Sequence, residues 1–372
     1  MYLKKTILVN YPGRSSGGAS HAYEMAKAIM ENGAEVYAVI SRQVENLSDW
    51  QSLPINIVYI DTYTDKKEFL VNTVAFYLQK RYEIKKSLGD VIFNAIYVPM
   101  GTYWTWMISE LFPDVPVYYT IHDPAPHSGE NLFNRIYTIM YRKEIQKAKG
   151  VITLSEKFVD DIVKLYGVSK TRIKVIPQGA FWQYKSKYIA HEKYSDDKRI
   201  NFLFFGRIEK YKGIGVLVKA YGRLEKELKN KVTLTIAGNG DLSEYAALMS
   251  DLDNLTVKNY VIPDEQVGEL FDKNNVVTVL PYLDASQSGV VLTAYMFNSL
   301  VIASDTGALR EQLKDGELGI LVKPNSVKDL YENMKKVAVN IDSFNHLRES
   351  ALIHIEDRKW DKLGKKLLGF MN

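Results

Sequence analysis

Residues 274–307 read NNVVTVLPYLDASQSGVVLTAYMFNSLVIASDTG. Two β-rich apolar runs, VVTVL and LVIAS, flank a helical stretch that is entered through a turn bearing Ser and Gly. Neither run alternates polar with apolar residues, so each reads as a strand buried on both faces. Such strands belong to parallel sheets, where crossover helices cover both surfaces.

The same alternation extends outward in both directions. Before it come KTILVN, a helical pattern over 19–32, EVYAVIS, DVIFNAIYV, VPVYYTIH, GVITLS and IKVIPQG. A polar segment, YKSKYIAHEKYSDDKR (184–199), interrupts the rhythm, which restarts with INFLFFG, VTLTIAG and LTVKNY. The pattern predicts two doubly wound α/β domains, 1–184 and 200–350, joined by a linker at 185–199. The end of the chain, 351–372, has a helical pattern with Trp360, Leu363, Leu367 and Leu368 on one face. That face either covers the second sheet or crosses back to the first domain.

The chain has 372 residues, 46% of them hydrophobic and 25% charged, enough for two ordinary cores. No run reaches the length of a membrane span, and the opening MYLKKTILVNYP is too short in apolar residues for a signal peptide. The expected location is the cytoplasm. With no Cys there is no disulfide, thiolate nucleophile or Cys-ligated zinc. The net charge of +4 lies in the first half, where KKEF and QKRYEIKK (66–86) and NRIYTIMYRKEIQKAKG (134–150) mix cations with aromatics. These are either ordinary crossover helices or a peripheral contact with an anionic membrane. The small excess and the lack of an aromatic-basic module argue against nucleic acid.

Ligands of doubly wound sheets bind where strands run out into loops. After the first strand, PGRSSGGAS (12–20) carries Gly17 and Gly18 at a helix start, where backbone N–H groups can meet an anion or a sugar. It is not G-x-G-x-x-G, and no acidic residue ends the second strand, which argues against a dinucleotide oxidoreductase. His122 and Asp123 end another strand, with His127 in the same proline-stiffened loop and no spacing that fits zinc. In FFGRIEKYKGIG (204–215), Arg207 and Lys212 follow a strand ending at Gly206, a fork and a point charge suited to a diphosphate. AGNGD (237–241) makes a further close turn through Gly238 and Gly240.

Taken in order, GRSSGGAS, TIHD, ITLSE, VIPQGA, FGRIEKYKG, LTIAGNGDL, PYLDASQSGVVLTAY and LVIASDTGALREQLKDGELGILV resemble the family 4 glycosyltransferases over nearly the whole chain. The resemblance implies the GT-B fold, two Rossmann-like domains facing across a cleft. It implies a retaining transfer from a nucleotide diphosphate sugar to a glycan or lipid-linked acceptor, with no cofactor and no metal. On these positions Arg207 and Lys212 meet the donor diphosphate, and His122 meets the donor sugar. Gly17, Gly18, Gly238 and Gly240 approach the donor, and Tyr260 and Val261 lie by the nucleobase. Arg14, Ser15, Ser16 and Asp123 fall on the acceptor side.

The family usually has two Glu residues eight positions apart in the opening stretch, where this chain has Ala285 and Thr293. The contacts then pass to Asp284, Ser286, Gln287, Ser288 and Thr293, with backbone N–H groups around Ser288, Gly289 and Val290 toward phosphate. A bacterial branch of surface-polysaccharide assembly has a similar ASQSG turn. The lost carboxylates keep two alternatives open, a non-catalytic GT-B scaffold and a nucleotide-sugar epimerase.

Overall fold

A computed structural model of the chain describes residues 4–14, 17–124, 141–188, 198–271 and 275–372. It divides into two compact units, Met1–Gly179 with Arg358–Asn372, and Ala180–Asp357. Ser15, Ser16, His127, residues 134–140 and most of the expected linker lie outside the described residues.

The first unit holds seven strands: β1 (Thr6–Tyr11), β2 (Glu35–Ser41), β3 (Asn56–Ile60), β4 (Ala95–Val98), β5 (Val117–Ile121), β6 (Gly150–Thr153) and β7 (Ile173–Val175). Their order is β3-β2-β1-β4-β5-β6-β7, and every pair is parallel. The second unit holds β8 (Ile200–Phe205), β9 (Val232–Ala237), β10 (Leu255–Lys258), β11 (Val276–Leu280), β12 (Leu300–Ser304) and β13 (Ile320–Val322). Their order is β10-β9-β8-β11-β12-β13, again all parallel. Both are Rossmann-like sheets. In each, the order reverses beside the first strand, so the loops leaving β1 and β4, and those leaving β8 and β11, diverge and open a crevice at the strands' carboxyl ends.

The stretch 274–307 contains the expected unit. β11 and β12 pair in register from Val277↔Leu300 to Leu280↔Ala303, and both are buried throughout. Between them the helix Gly289–Met296 buries every residue from Val291 onward. It has no polar face because it lies under the helix Asn345–Ile355 as well as on its own sheet.

The segment just after Gly179 packs on the second unit: a side-chain carbon at Gly289 would come within 3.2 Å of the Phe181 ring, and Lys185 Nζ donates to the Met296 carbonyl at 3.2 Å. At the other end, the helix Trp360–Phe370 belongs to the first unit and lies against the opening helix Gly17–Glu31. It buries Trp360, Leu363, Gly364 and Leu367. Gly364 lets the two backbones approach, since a side-chain carbon there would come within 2.8 Å of Ala28. Asn32 Nδ2 and Lys5 Nζ tie the pair further, donating to the carbonyls of Asp361 at 2.9 Å and Leu368 at 3.2 Å.

Candidate active site

In the second unit the crevice between β8 and β11 is lined by the two loops that the sequence singles out. β8 runs out at Gly206, and the loop stays paired with the one leaving β9: Gly206 N–H donates to Ala237 O at 3.0 Å and Ile208 N–H to Asn239 O at 2.8 Å. This pairing is so close that a side-chain carbon at Gly238, whose φ is +149°, would stand 1.9 Å from Gly206 O. Gly238 and Gly240 therefore act on the site by letting the backbone that carries Arg207 lie where it does. Arg207 itself is 70% exposed and pairs with Glu209 at 3.1 Å.

Lys212 is the opposite case, with only 9% of it exposed. It sits in a short turn, Lys210–Lys212, that Gly213 terminates in the left-handed region at φ +68°. Its ammonium lies beside the bare face of Gly206, 3.0 Å from where a side-chain carbon would be, and 5.5 Å from the centre of the Tyr282 ring. Among the described residues Lys212 Nζ makes neither an ion pair nor a hydrogen bond. Burial, with the Arg207 guanidinium adding to it and Glu209 opposing, lowers its pKa to about 8. A buried ammonium with neither an ion pair nor a hydrogen bond among the described residues is a costly feature that an incoming anion relieves.

The ASQSG turn leaves β11 and enters the helix Gly289–Met296 through Ser288 as N-cap, whose Oγ accepts from Val290 N–H at 3.3 Å. Ser288 is itself clamped. Its N–H donates to Gln312 Oε1 at 2.9 Å, and Gln312 Nε2 donates back to its carbonyl at 3.1 Å. Tyr282 OH lies 3.3 Å from Ser288 Oγ, so Lys212, Tyr282 and the turn form one contiguous cluster. Two of the three N–H groups expected at phosphate, those of Ser288 and Val290, already have protein partners, which leaves that of Gly289. Gln287 Nε2 is buried and has no partner among the described residues. Ser286 O accepts from Ala308 N–H at 3.0 Å.

Four sequence candidates, Thr293, Asp284, Tyr260 and Val261, stand apart from that cluster. Thr293 is 1% exposed and donates to Gly289 O at 3.2 Å, the back-bond a threonine makes to its own helix, so it faces the core. Asp284 is exposed, its backbone N–H 3.4 Å from Tyr211 O, and Ala285 is buried in the core. Tyr260 and Val261 are exposed on the loop after β10, beside the Gly240 turn that Asn259 brackets with hydrogen bonds of 3.0 and 3.1 Å.

In the first unit, Gly18 lies against Met100 and Tyr11 at the start of the opening helix, while Gly17 is open to solvent. His122 follows β5, and its Nε2 is 2.8 Å from Pro99 O. A carbonyl only accepts, so Nε2 carries the proton and Nδ1 is left as an acceptor. Burial lowers the pKa of this imidazole and keeps it neutral near pH 7. Its ring meets His21 edge-on at 4.6 Å. The sequence reading missed His21, fully buried between Gln178 Oε1 at 3.1 Å and Tyr97 OH at 3.3 Å, with Trp360 at 5.2 Å. Its signal was present, since it sits on the same helix one turn beyond the glycines. Gln312 and Tyr282 were missed as well. Arg14 turns away to stack on Tyr63 at 4.0 Å and to donate to its carbonyl. Asp123 is half-buried beside His122.

Residues 15–180 match the family described as Glycosyltransferase Family 4, and residues 199–340 match Glycosyl transferases group 1. The chain therefore carries a domain of the first family followed by a domain of the second. An uncharacterized glycosyltransferase of Methanocaldococcus jannaschii is 27% identical over 61% of this chain, and the aligned part spans 59% of that relative. A D-inositol 3-phosphate glycosyltransferase of Pseudarthrobacter chlorophenolicus is 23% identical over 96% of this chain and 90% of its own. Among solved structures, Anabaena HepE in complex with UDP and glucose superposes with a TM-score of 0.72 at 15% identity, covering 98% of both chains. At that identity the likeness speaks for the fold.

Proposed function

We propose that this glycosyltransferase moves a sugar from a nucleoside diphosphate donor to a hydroxyl of a glycan or lipid-linked glycan, with retention of anomeric configuration and without a metal. The observation that carries the reading is Lys212, a buried ammonium with neither an ion pair nor a hydrogen bond among the described residues, at the switch point of the second sheet, with Arg207 on the same loop. As the bond from the sugar to the diphosphate breaks, negative charge grows on the departing phosphate. A guanidinium and an ammonium already in place stabilise that charge without reorganising. The crystal complex of the neighbour with UDP supports a uridine nucleotide as the first donor to try.

In the first unit, the neutral His122 offers Nδ1 as an acceptor for a sugar hydroxyl. Gln287 Nε2, buried and without a partner among the described residues, offers a donor. A non-catalytic scaffold has no use for a desolvated lysine, and an epimerase needs paired acid and base carboxylates that this cluster does not supply.

The test is to titrate the protein with a panel of nucleotide sugars, following the melting temperature, and then to assay transfer with the stabilising donor in the presence of EDTA. The expected result is a donor-dependent rise in melting temperature and a product with the donor's anomeric configuration by NMR. No response to any nucleotide sugar at millimolar concentration would overturn the donor reading. Chelator-sensitive turnover restored by a divalent ion would overturn the metal-free part.

A further inference from the structure

In the first unit the helix Lys66–Ala75, the π-turn Phe76–Lys80 and the helix Arg81–Leu88 follow one another without a break. One side is held to the core. Phe76 stacks on Trp104 with ring centroids 4.7 Å apart, Thr73 Oγ1 accepts from Trp104 Nε1 at 2.9 Å, and Ile84 and Leu88 are buried.

The other side is apolar too. Leu70, Val71, Val74, Tyr77, Leu78 and Tyr82 are each 46–67% exposed. They recur at the spacing of one helical stripe and make up six of the fifteen exposed large apolar side chains among the described residues. An apolar stripe left this exposed, gathered in thirteen consecutive positions, is the kind of surface that meets an apolar partner.

Its charges indicate which partner. Lys66 and Lys67 at one end and Lys85 and Lys86 at the other are exposed, and none forms an ion pair among the described residues. Of the carboxylates in 65–88, Glu83 is exposed beside Lys85 and Lys86, while the other two are in use. Asp65 caps the first helix by accepting from the N–H groups of Lys67 and Glu68, and Glu68 accepts from both N–H and Oγ1 of Thr64 at 2.7 Å. Arg81 lies over the rings of Tyr77 at 4.5 Å and Tyr82 at 5.0 Å, with its charge paired to Glu110 at 3.7 Å, so the free cations of the stripe are the lysines at its ends. An apolar stripe with unpaired lysines at both ends matches a layer whose surface is anionic and whose interior is hydrocarbon.

We propose that residues 66–88 dock this protein on the surface of an anionic lipid bilayer, with the stripe entering the headgroup boundary and the lysines on the lipid phosphates. No helix among the described residues is long and apolar enough to cross a membrane, so this is attachment at the surface. The inference does not depend on the donor reading above.

The full chain is centrifuged with vesicles of phosphatidylcholine alone and with vesicles that also contain phosphatidylglycerol. The expected result is sedimentation with the mixed vesicles only, weakening as salt rises. Lys66→Glu with Lys67→Glu, and separately Val71→Glu with Leu78→Glu, should each lower the bound fraction by roughly tenfold or more. All four positions are exposed, so the melting temperature and its response to a nucleoside diphosphate should stay as in the parent, which separates this test from the donor test. The proposal is overturned if the parent stays in the supernatant, sediments equally with both vesicle types, or binds undiminished after the Glu substitutions. A dimer that Val71→Glu with Leu78→Glu turns into a monomer would overturn it too, assigning the stripe to a second copy of the chain.

Discussion

The side-chain amide of Gln312 reproduces a peptide pairing on Ser288, accepting from its N–H at 2.9 Å and donating to its carbonyl at 3.1 Å. Both residues are buried, so water cannot replace either bond. The clamp fixes where the helix Gly289–Met296 begins, and with it the backbone and the Gln287 amide proposed to meet the donor. Gln312→Leu keeps the volume and removes both partners. The expected cost is about 1–3 kcal/mol of stability for each group left unpaired. Donor affinity should fall further than in a distant core variant of equal instability. A Gln312→Leu protein with parental donor affinity, measured by calorimetry, would remove the turn from the donor site.

Lys212 links ligand binding to pH. Its pKa in the folded chain, about 8, lies below the ordinary 10.5. A nucleotide sugar prefers the charged form, so its association constant should be level below pH 8. Above pH 8 it should fall by up to about tenfold per pH unit as the ligand-free lysine loses its proton. Lys212→Arg, charged throughout, should remove the break.

The sign for stability is the reverse of the usual lysine case. Below pH 8 the side chain is charged in both the folded and the unfolded chain, and folding carries the full cost of burying that charge. The cost fades between pH 8 and 10.5, where the folded chain holds fewer protons. Lys212→Met should therefore raise the melting temperature of the ligand-free protein at pH 7 by a few degrees while abolishing donor binding. A lower melting temperature at pH 7 would mean that the ammonium has a protein partner after all.

Gly238 tests how Arg207 is held. A methyl group there would collide with the Gly206 carbonyl and would also need a φ of +149°, which alanine resists. Gly238→Ala should part the loops after β8 and β9 and lower turnover toward that of Arg207→Ala, itself expected at roughly one hundredth of the parent. Donor turnover and far-ultraviolet dichroism of the two variants side by side provide the check. Parental turnover in Gly238→Ala with unchanged secondary structure would show that the loop pairing does not set the guanidinium.

These residues show what the sequence makes legible. Buried parallel strands declare themselves, because a strand covered on both faces is apolar at nearly every position, as VVTVL and LVIAS are apart from Thr278 and Ser304. Loops that leave such strands at the switch point are also visible, and so order alone places Arg207, Lys212 and the ASQSG turn on them. Partners that act across the fold were not. Gln312 lies 24 residues from Ser288 and His21 lies 157 from Gln178, and nothing local marks either pair. Direction was hidden as well, since Thr293 and Ser286 look alike as hydroxyls until helix geometry turns one of them inward.

The last case is the missing carboxylate pair of the ASQSG stretch. Ala285 is 5% exposed within the second core, and its carbonyl lies so near Gly307 that a side-chain carbon there would overlap it. A glutamate at this position has no water to face, so Ala285→Glu should destabilise the protein by several kcal/mol rather than restore a sugar contact. The neighbouring Asp284 is exposed on the loop held to Tyr211, and it is the one carboxylate in the stretch that meets solvent. Asp284→Asn keeps the shape and removes the charge. If the aspartate has taken over a donor hydroxyl, turnover should drop by tenfold or more with the melting temperature unchanged, at about 1.5–3 kcal/mol for a hydrogen bond to a charged group. Parental turnover would leave sugar recognition to Gln287, Ser286 and the backbone. In that event Gln287→Leu, which removes a buried Nε2 that has no partner among the described residues, should weaken donor binding without destabilising the chain.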